Sequence, residues 1–441
     1  MGYEEATAHL EGLGVDAMKS LRPTMRRIEA LCGALDHPEQ RVPAIHVTGT
    51  NGKTSTARII TSILAATGLS VGTYTSPHLQ SIRERIALNG IAISRTDFGD
   101  VYDHLRPFLE ITEKELDERL TYFEILTAMF YLWAAESPVD AMVVEVGLGG
   151  RWDATNVVPS SVAVITNVGL DHVGLLGTDR ETIAKEKAGI VKESSKAVTA
   201  ERTPAILDVI AREATARGAT LSTIGRDFEL TDNRVAFGGR YLSVRTSSRS
   251  YEGLFLPLHG SHQGLNAAVG LEAVAAFLAE GSLDGDLVNE GLMTASSPGR
   301  LEPVRAPDEE DVEAPTLLLD VAHNPDGVSA LVKALAEEFA FERVVFVVGI
   351  LADKDYQGML REMARLPGTF IFTSASSGRS VDPSVLARTA TELGLSCETV
   401  DGVPDAVSRA KGLAEPGDLI CVTGSHYVVG EARDVLVGRP Q

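Results

Sequence analysis

The sequence of 441 residues is short of cysteine, of positive charge and of long apolar runs. Its three cysteines, Cys32, Cys397 and Cys421, are odd in number, far apart and without metal-ligand spacing. That argues against a disulfide framework and a thiolate zinc site, and favours a reducing compartment. No apolar stretch approaches the ~20 residues that span a bilayer, and the start MGYEEATAHLEGLG has neither the basic residues nor the apolar run of a secretory signal. Ala6 stands where a myristoylation signal has Ser or Thr. Against 61 Asp and Glu there are 40 Lys and Arg, a formal net charge of −21. No basic patch interrupts the excess, so nucleic acid and anionic membrane are repelled. A cytoplasmic protein that binds neither is the expectation. Internal repeats and low-complexity tracts are also missing.

What is present is 44% apolar content in a chain too long for one ordinary core, which predicts two or three domains. Continuous apolar runs typical of buried parallel strands occur at 44–49, 70–76, 141–148 and 162–168, with helical patterns between them. After the first run, Ile60, Ile63, Leu64 and Thr67 share a helical face and Gly68 supplies a stop. From about Thr220 to Leu258 short alternating pieces such as RYLSVRT predict an antiparallel excursion. Pro, Ser and acidic residues over 294–315 break the periodicity, and a second set of runs follows at 316–323, 343–350, 369–375 and 418–425. The fold class expected is α/β: a larger domain over residues 1–297 with a mainly parallel sheet, and a smaller doubly wound domain over 298–441.

One further absence is informative. In IHVTGTNGKTS (45–55) the glycine that a standard Walker loop has five residues before Gly-Lys is replaced by Val47, and the first glycine is Gly49. The segment still leaves a strand and opens a helix. Gly49, Asn51 and Gly52 let backbone N–H groups turn toward phosphate oxygens, Lys53 can reach the terminal phosphates and Thr54 can ligate Mg²⁺. The bland alternative is a glycine-rich turn with a surface lysine. Glu145 lies in an apolar strand where an unpaired carboxylate is costly to bury; either it meets a metal or it is a sheet-end carboxylate with a lysine partner. His172, in LDHVGLLG, follows the run 162–168 at the end where open α/β sheets bind ligands. Alone it reads as a hydrogen-bonded loop histidine, and together with Glu145 and Thr54 as a site residue, with oxygen ligands and one imidazole suiting Mg²⁺ or Mn²⁺.

Seven segments in order, HVTGTNGKTS, YTSPHLQSIRERI, EVGLGGRWDATN, LDHVGLLGTDRETIAKEKAGIVK, SHQGLNAAVGLEA, SPGRLEP and LDVAHNPDG, resemble the signatures of the folylpolyglutamate synthase/dihydrofolate synthase family within the Mur ligase superfamily. The resemblance runs from about residue 20 to 430. It implies a P-loop central domain followed by a Rossmann-like ligase domain, with ATP between them. It places Gly49, Thr50, Asn51, Gly52, Lys53 and Thr54 on the phosphates, and Asn266, Arg300 and Asp320 on the nucleotide across the hinge. Thr54, Ser76, Glu145 and His172 match Mg²⁺ ligands, and Lys187 matches a lysine that is carbamylated in relatives and then serves a second Mg²⁺. His323 and Ser425 match positions near the incoming glutamate; Phe123, Asp153 and Ala154 match the region that contacts the pterin in bifunctional members, Phe123 being equally at home in a core. Lys53, Lys187 and His323 are the implied catalytic residues.

The resemblance also implies the partners: ATP as co-substrate, L-glutamate, a folate or dihydropteroate, one or two Mg²⁺ ions and, as an option, a monovalent cation, acting on a monomer. Three other readings stay open on the sequence. A cell-wall Mur ligase would carry a further N-terminal domain of roughly 100 residues, whereas 48 residues precede Gly49. A P-loop switch would use the longer Walker spacing without a second α/β domain. A catalytically silent relative would be expected to lose Lys53 or Glu145.

Overall fold

The computed structural model describes residues 2–14, 24–278, 283–304 and 315–439. The first half is built on an eight-stranded sheet of β1 (Ala44–Thr48), β2 (Val71–Tyr74), β3 (Ile86–Leu88), β4 (Ile91–Ala92), β5 (Ala141–Glu145), β6 (Val162–Ile165), β7 (Lys196–Thr199) and β8 (Thr220–Thr223), in the order β4-β3-β2-β5-β1-β6-β7-β8. All are parallel except β3 and β4, which form an antiparallel edge. Alternate side chains of each central strand enter different cores, as continuous apolar runs require. Met142 and Val144 of β5 belong to the core shared with the helices Arg95–Leu116 and Tyr122–Glu136, while Ala141 and Val143 belong to the core shared with the helices Lys53–Ala66 and Ser261–Leu278.

The helix after the phosphate loop is held on its apolar face by Ile59, Ile60, Ile63 and Leu64, all 0% exposed, each contributing about 1.5–3 kcal/mol by burial. Two glycines let neighbouring helices approach it. A Cβ at Gly270 would lie 3.1 Å from Ile59, and one at Gly291, in the helix Gly285–Met293, 2.7 Å from the Ile63 Cα.

The antiparallel excursion is narrower than the sequence pattern suggests. Only β9 (Glu229–Ala236), β10 (Gly239–Arg245) and β11 (Ser250–Leu256) form the separate three-stranded sheet. Residues 220–223 instead extend the main sheet as β8, parallel to β7, because their partner edge on β7 is otherwise unpaired.

The second half carries β12 (Glu302–Val304), β13 (Thr316–Asp320), β14 (Val344–Val348), β15 (Gly368–Phe372), β16 (Ser396–Thr399) and β17 (Leu419–Thr423), ordered β12-β13-β17-β14-β15-β16. The last five are parallel, and β12 is antiparallel to β13. Much of the acidic stretch expected to mark a boundary, 305–314, lies outside the described residues. No helix among the described residues is long and apolar enough to cross a membrane.

Candidate active site

Strand β1 lies between β5 and β6, so the loop after it opens at the carboxyl ends of three adjacent parallel strands. Two glycines there are fixed by contact. A Cβ on Gly49 would lie 1.8 Å from Thr166 Oγ1, and one on Gly52, at φ 82°, would lie 2.6 Å from Asn266 Oδ1. The Thr50 and Asn51 amides are taken by Asn167, through its carbonyl at 3.0 Å and its side-chain oxygen at 3.0 Å. The amides left for a ligand are therefore those that open the helix Lys53–Ala66, whose N-terminus has no capping side chain. Such a terminus is an anion site.

Lys53 folds back into the loop, its ammonium donating to the carbonyls of Gly49 at 3.0 Å and Thr50 at 3.2 Å. Burial pulls its pKa down, against the attraction of Glu145 and Asp171. Glu145, at the end of β5, is 1% exposed. One carboxylate oxygen accepts from the Thr54 hydroxyl at 2.9 Å and the other from the Ser76 amide at 3.0 Å. Burial raises its pKa and Lys53 opposes the shift. Among the described residues no ammonium or guanidinium lies within 4 Å of it. Three residues predicted as Mg²⁺ ligands thus share one spot, and a buried carboxylate flanked by a hydroxyl fits a hard divalent cation.

The fourth predicted ligand has different company. His172 is the left-handed residue, φ 51°, before a short helix, and its Nε2 lies 3.3 Å from the Lys354 ammonium. Burial and Lys354 hold its pKa down to about 4, although Asp171 pulls the other way, so the ring is neutral near pH 7. Among the described residues no three His, Cys, Asp or Glu side chains converge as a metal cluster. Lys187 is 3% exposed, and its ammonium has no hydrogen-bond partner among the described residues. Burial, reinforced by Lys53 and opposed by Asp171, brings its pKa down to about 7.

The second half supplies the facing wall. Arg300 reaches His426 Nε2 at 3.3 Å, and Asp320 accepts from the Leu301 and Ala322 amides, each at 2.8 Å. His323 Nδ1 donates to the Val321 carbonyl at 2.9 Å and its Nε2 lies 3.6 Å from Asp171. On the first half's side, in the helix Ser261–Leu278, Asn266 donates to Gln263 at 2.9 Å. Ser425 is 1% exposed and caps the helix His426–Leu436 by accepting from the Val428 amide.

The residues matched to the pterin region sit beside the site in the core. Phe123 packs 6.0 Å from the Tyr74 ring and covers Gly147, where a Cβ would lie 2.5 Å from the Phe123 ring. Asp153 accepts from the Leu148 amide at 2.8 Å and the Thr155 amide at 3.0 Å, and Ala154 is buried beside it. Both Asp153 oxygens thus already order the loop that carries them.

Sequence reasoning missed four residues here, three of which join the two halves. Lys354 pairs with Asp171 at 2.7 Å, the side chains being 5% and 11% exposed. Asn324 donates to Asp171 at 3.2 Å and to Asn51 at 3.1 Å. Asn167 holds the loop itself. Asp171 adjoins His172 and Asn324 follows His323, so proximity to predicted residues was the available signal.

Two family models match this chain: the Mur ligase middle domain over residues 47–274 and the Mur ligase glutamate ligase domain over residues 299–426. A dihydrofolate synthase/folylpolyglutamate synthase of Mycobacterium tuberculosis is 38% identical over 450 residues, covering 95% of this chain and 91% of that protein. The structure of M. tuberculosis folylpolyglutamate synthase complexed with ADP and AMPPCP superposes with a TM-score of 0.91 and 37% identity, over 99% of this chain and 100% of that one. An FPGS complex with AMPPCP and folate superposes at a TM-score of 0.83 and 32% identity, over 99% and 100%. With both halves matched and sequence similarity running almost end to end, the chain belongs to the folylpolyglutamate synthase/dihydrofolate synthase family of the Mur ligase superfamily.

Proposed function

We propose that the chain is an ATP-dependent ligase that joins the amine of L-glutamate to the carboxylate of a folate or of dihydropteroate. The observation that carries this reading is the uncapped helix start with Lys53 and Glu145 on one side and Arg300, Asp320 and His323 of the second half on the other, the Arg300 charge reaching Glu145 and His323 lying 3.6 Å from Asp171. A carboxylate is a poor electrophile. Its oxygen attacks the γ-phosphorus of ATP, ADP leaves, and the acyl phosphate is then attacked by the neutral amine, which loses a proton as phosphate departs. Lys53 and the helix amides hold the phosphates, Asn266, Arg300 and Asp320 hold the nucleotide, and His323 and Ser425 lie along the amino-acid approach. Phe123, Asp153 and Ala154 shape the pterin side. The two bodies, residues 1–297 and 298–441, close over the acyl phosphate to keep water out.

Thr54, Ser76 and Glu145 would hold Mg²⁺, with His172 joining them by turning from Lys354. When bound, the ion supplies positive charge to the phosphate oxygens. Lys187 is suited to carbamylation. Its neutral amine attacks CO₂, a C–N bond forms as one C=O π pair moves onto oxygen, one proton goes to solvent, and the neutral amine becomes a carbamate anion fit for a second Mg²⁺. A ¹³CO₂ carbamate resonance in wild type that is missing from Lys187→Met is the expected sign, and identical spectra would reject it. Replacing Glu145 by Ala should raise the Mg²⁺ concentration at half-maximal rate; an unchanged titration would return Glu145 to a structural role.

The deciding experiment measures phosphate release from ATP plus L-glutamate, with dihydropteroate and with tetrahydrofolate in separate arms. Stoichiometric amide with at least one acceptor, and a fall of about 10²-fold or more in Lys53→Ala, is expected. ATP turnover that is independent of both acceptors would favour the switch-type reading instead.

A further inference from the structure

The helix that follows the phosphate loop carries an arginine that the ligation does not use. Arg58 lines a cavity of about 380 Å³ on the far side of the Thr75–Ser76 segment, with Thr61, Thr73, Thr75, Ser296 and Arg433 among its walls. Its guanidinium makes no hydrogen bond and no ion pair within 4 Å with any described residue. The carboxylates whose charge reaches it are Glu84, Glu145 and Glu302, and each is already engaged. Glu84 accepts from the amides of Leu79, Gln80 and Ser81, Glu145 from Thr54 and Ser76, and Glu302 from Gly299 and from Arg433. Burial therefore pushes the Arg58 guanidinium down from its ordinary pKa, and Glu84 is the leading opposing charge. Half-buried on the cavity wall and without a direct partner, the guanidinium keeps its N–H donors free for an anion.

The geometry points to a carboxylate-binding site in this cavity, anchored by Arg58. A guanidinium presents parallel N–H donors that match the two oxygens of a carboxylate. The exposed Ser296 hydroxyl on the rim, which has no hydrogen bond to a described residue, can donate to a further oxygen. The walls come from both halves of the molecule: Arg58 and Thr75 from the first, Arg433 from the helix His426–Leu436 of the second. Thr75 immediately precedes Ser76, and the lining residue Pro298 lies two before Arg300. An anion seated here touches the rear of two segments whose front faces carry Ser76 and Arg300, so its occupancy favours the arrangement that brings the halves together.

Two sources offer that chemistry, the γ-linked glutamate tail of an elongated folate and a free dicarboxylate. The first rests on the function proposed above. Calorimetric titration of the full-length protein, with saturating ADP filling the phosphate loop, uses tri-γ-glutamate in one arm and glutarate in the other. Saturable binding in at least one arm is expected, weakened at least tenfold in Arg58→Met and less in Arg58→Lys. Tri-γ-glutamate binding at least tenfold tighter than glutarate identifies the tail, and comparable affinities identify a free dicarboxylate. Thermal melting and ADP affinity check that each variant is folded, and Ser296→Asp, at an exposed rim position, offers a second route to the same weakening by placing a like charge there. No saturable binding in either arm, or wild-type binding by a folded Arg58→Met, would overturn the site. Amide formation assayed on the same wild-type preparation separates the two ideas: carboxylate binding without ligation leaves the site standing and removes the proposed function, and ligation without carboxylate binding does the reverse.

Discussion

Three lysines of the first half sit where a charge is expensive, and each resolves the conflict differently. Lys53 satisfies its ammonium with the Gly49 and Thr50 carbonyls, bonds that phosphate oxygens can replace. Lys187 has no such partner and approaches neutrality. Lys192 donates to the Asn156 carbonyl at 2.6 Å and to its side-chain oxygen at 2.8 Å. Burial still lowers its pKa to about 8, with Arg217 adding to the effect. The sign of the stability effect follows from linkage. Below pH 8 Lys192 is protonated in both the folded and unfolded chain, and the penalty for burying the charge is constant. Between pH 8 and the unfolded value near 10.5 the unfolded chain binds more protons, so stability rises with pH. In urea unfolding, wild type should therefore gain on Lys192→Met across pH 8–10. A pH-independent difference would show that the ammonium is as well solvated in the folded chain as in the unfolded one.

Among the elements, the central strands were legible because a strand buried on both faces has no alternative to a continuous apolar run. Each ends before the run does: β5 stops at Glu145 where the run continued to Leu148, since the residues beyond turn outward to form the site. The edge hairpin was missed although its signal was present. Asn89 and Gly90, at φ 49° and 81°, adopt the left-handed pair of a two-residue turn between β3 and β4. The helix Tyr122–Glu136 hid for the opposite reason, since every residue from Tyr122 to Ala134 is buried and no polar stripe marks its period. Helix packing also depends on single glycines that no local pattern marks. At Gly291 an added methyl would meet the Ile63 Cα and the Ser62 carbonyl, backbone atoms that cannot rotate away. The overpacking penalty of about 1–3 kcal/mol exceeds the gain of about 0.5–1 kcal/mol in helix propensity. Gly291→Ala should lower the urea midpoint and, by displacing the helix Lys53–Ala66, raise the KM for ATP. Unchanged stability would mean that the helix Gly285–Met293 shifts freely.

At the scale of the whole molecule the candidate site divides into a legible part and an illegible one. The meeting of the phosphate loop with Glu145, through Thr54, was legible because each lies in a short segment next to a strand end, whereas the company His172 keeps, Lys354, was not. Asp171–Lys354 and Asn51–Asn324 could not be read either, because the partners are 183 and 273 residues apart and meet only once both sheets are folded. These contacts are what ties the phosphate loop to the second body. Lys354 and Asp171 are nearly buried together, and removing one partner of such a pair leaves the other charge desolvated at a cost of about 3–5 kcal/mol. The closed arrangement bears that cost and an open one, where Asp171 is hydrated, does not. Lys354→Met should therefore shift the population toward the open form. Small-angle scattering with bound ATP analogue should show less compaction than in wild type. Turnover should fall at least tenfold, and the phosphate released should exceed the amide formed, because water reaches the acyl phosphate when the halves part. A variant that compacts normally and keeps one phosphate per amide would show that Lys354–Asp171 does not latch the two bodies, leaving Asn51–Asn324 as the contact that closes them.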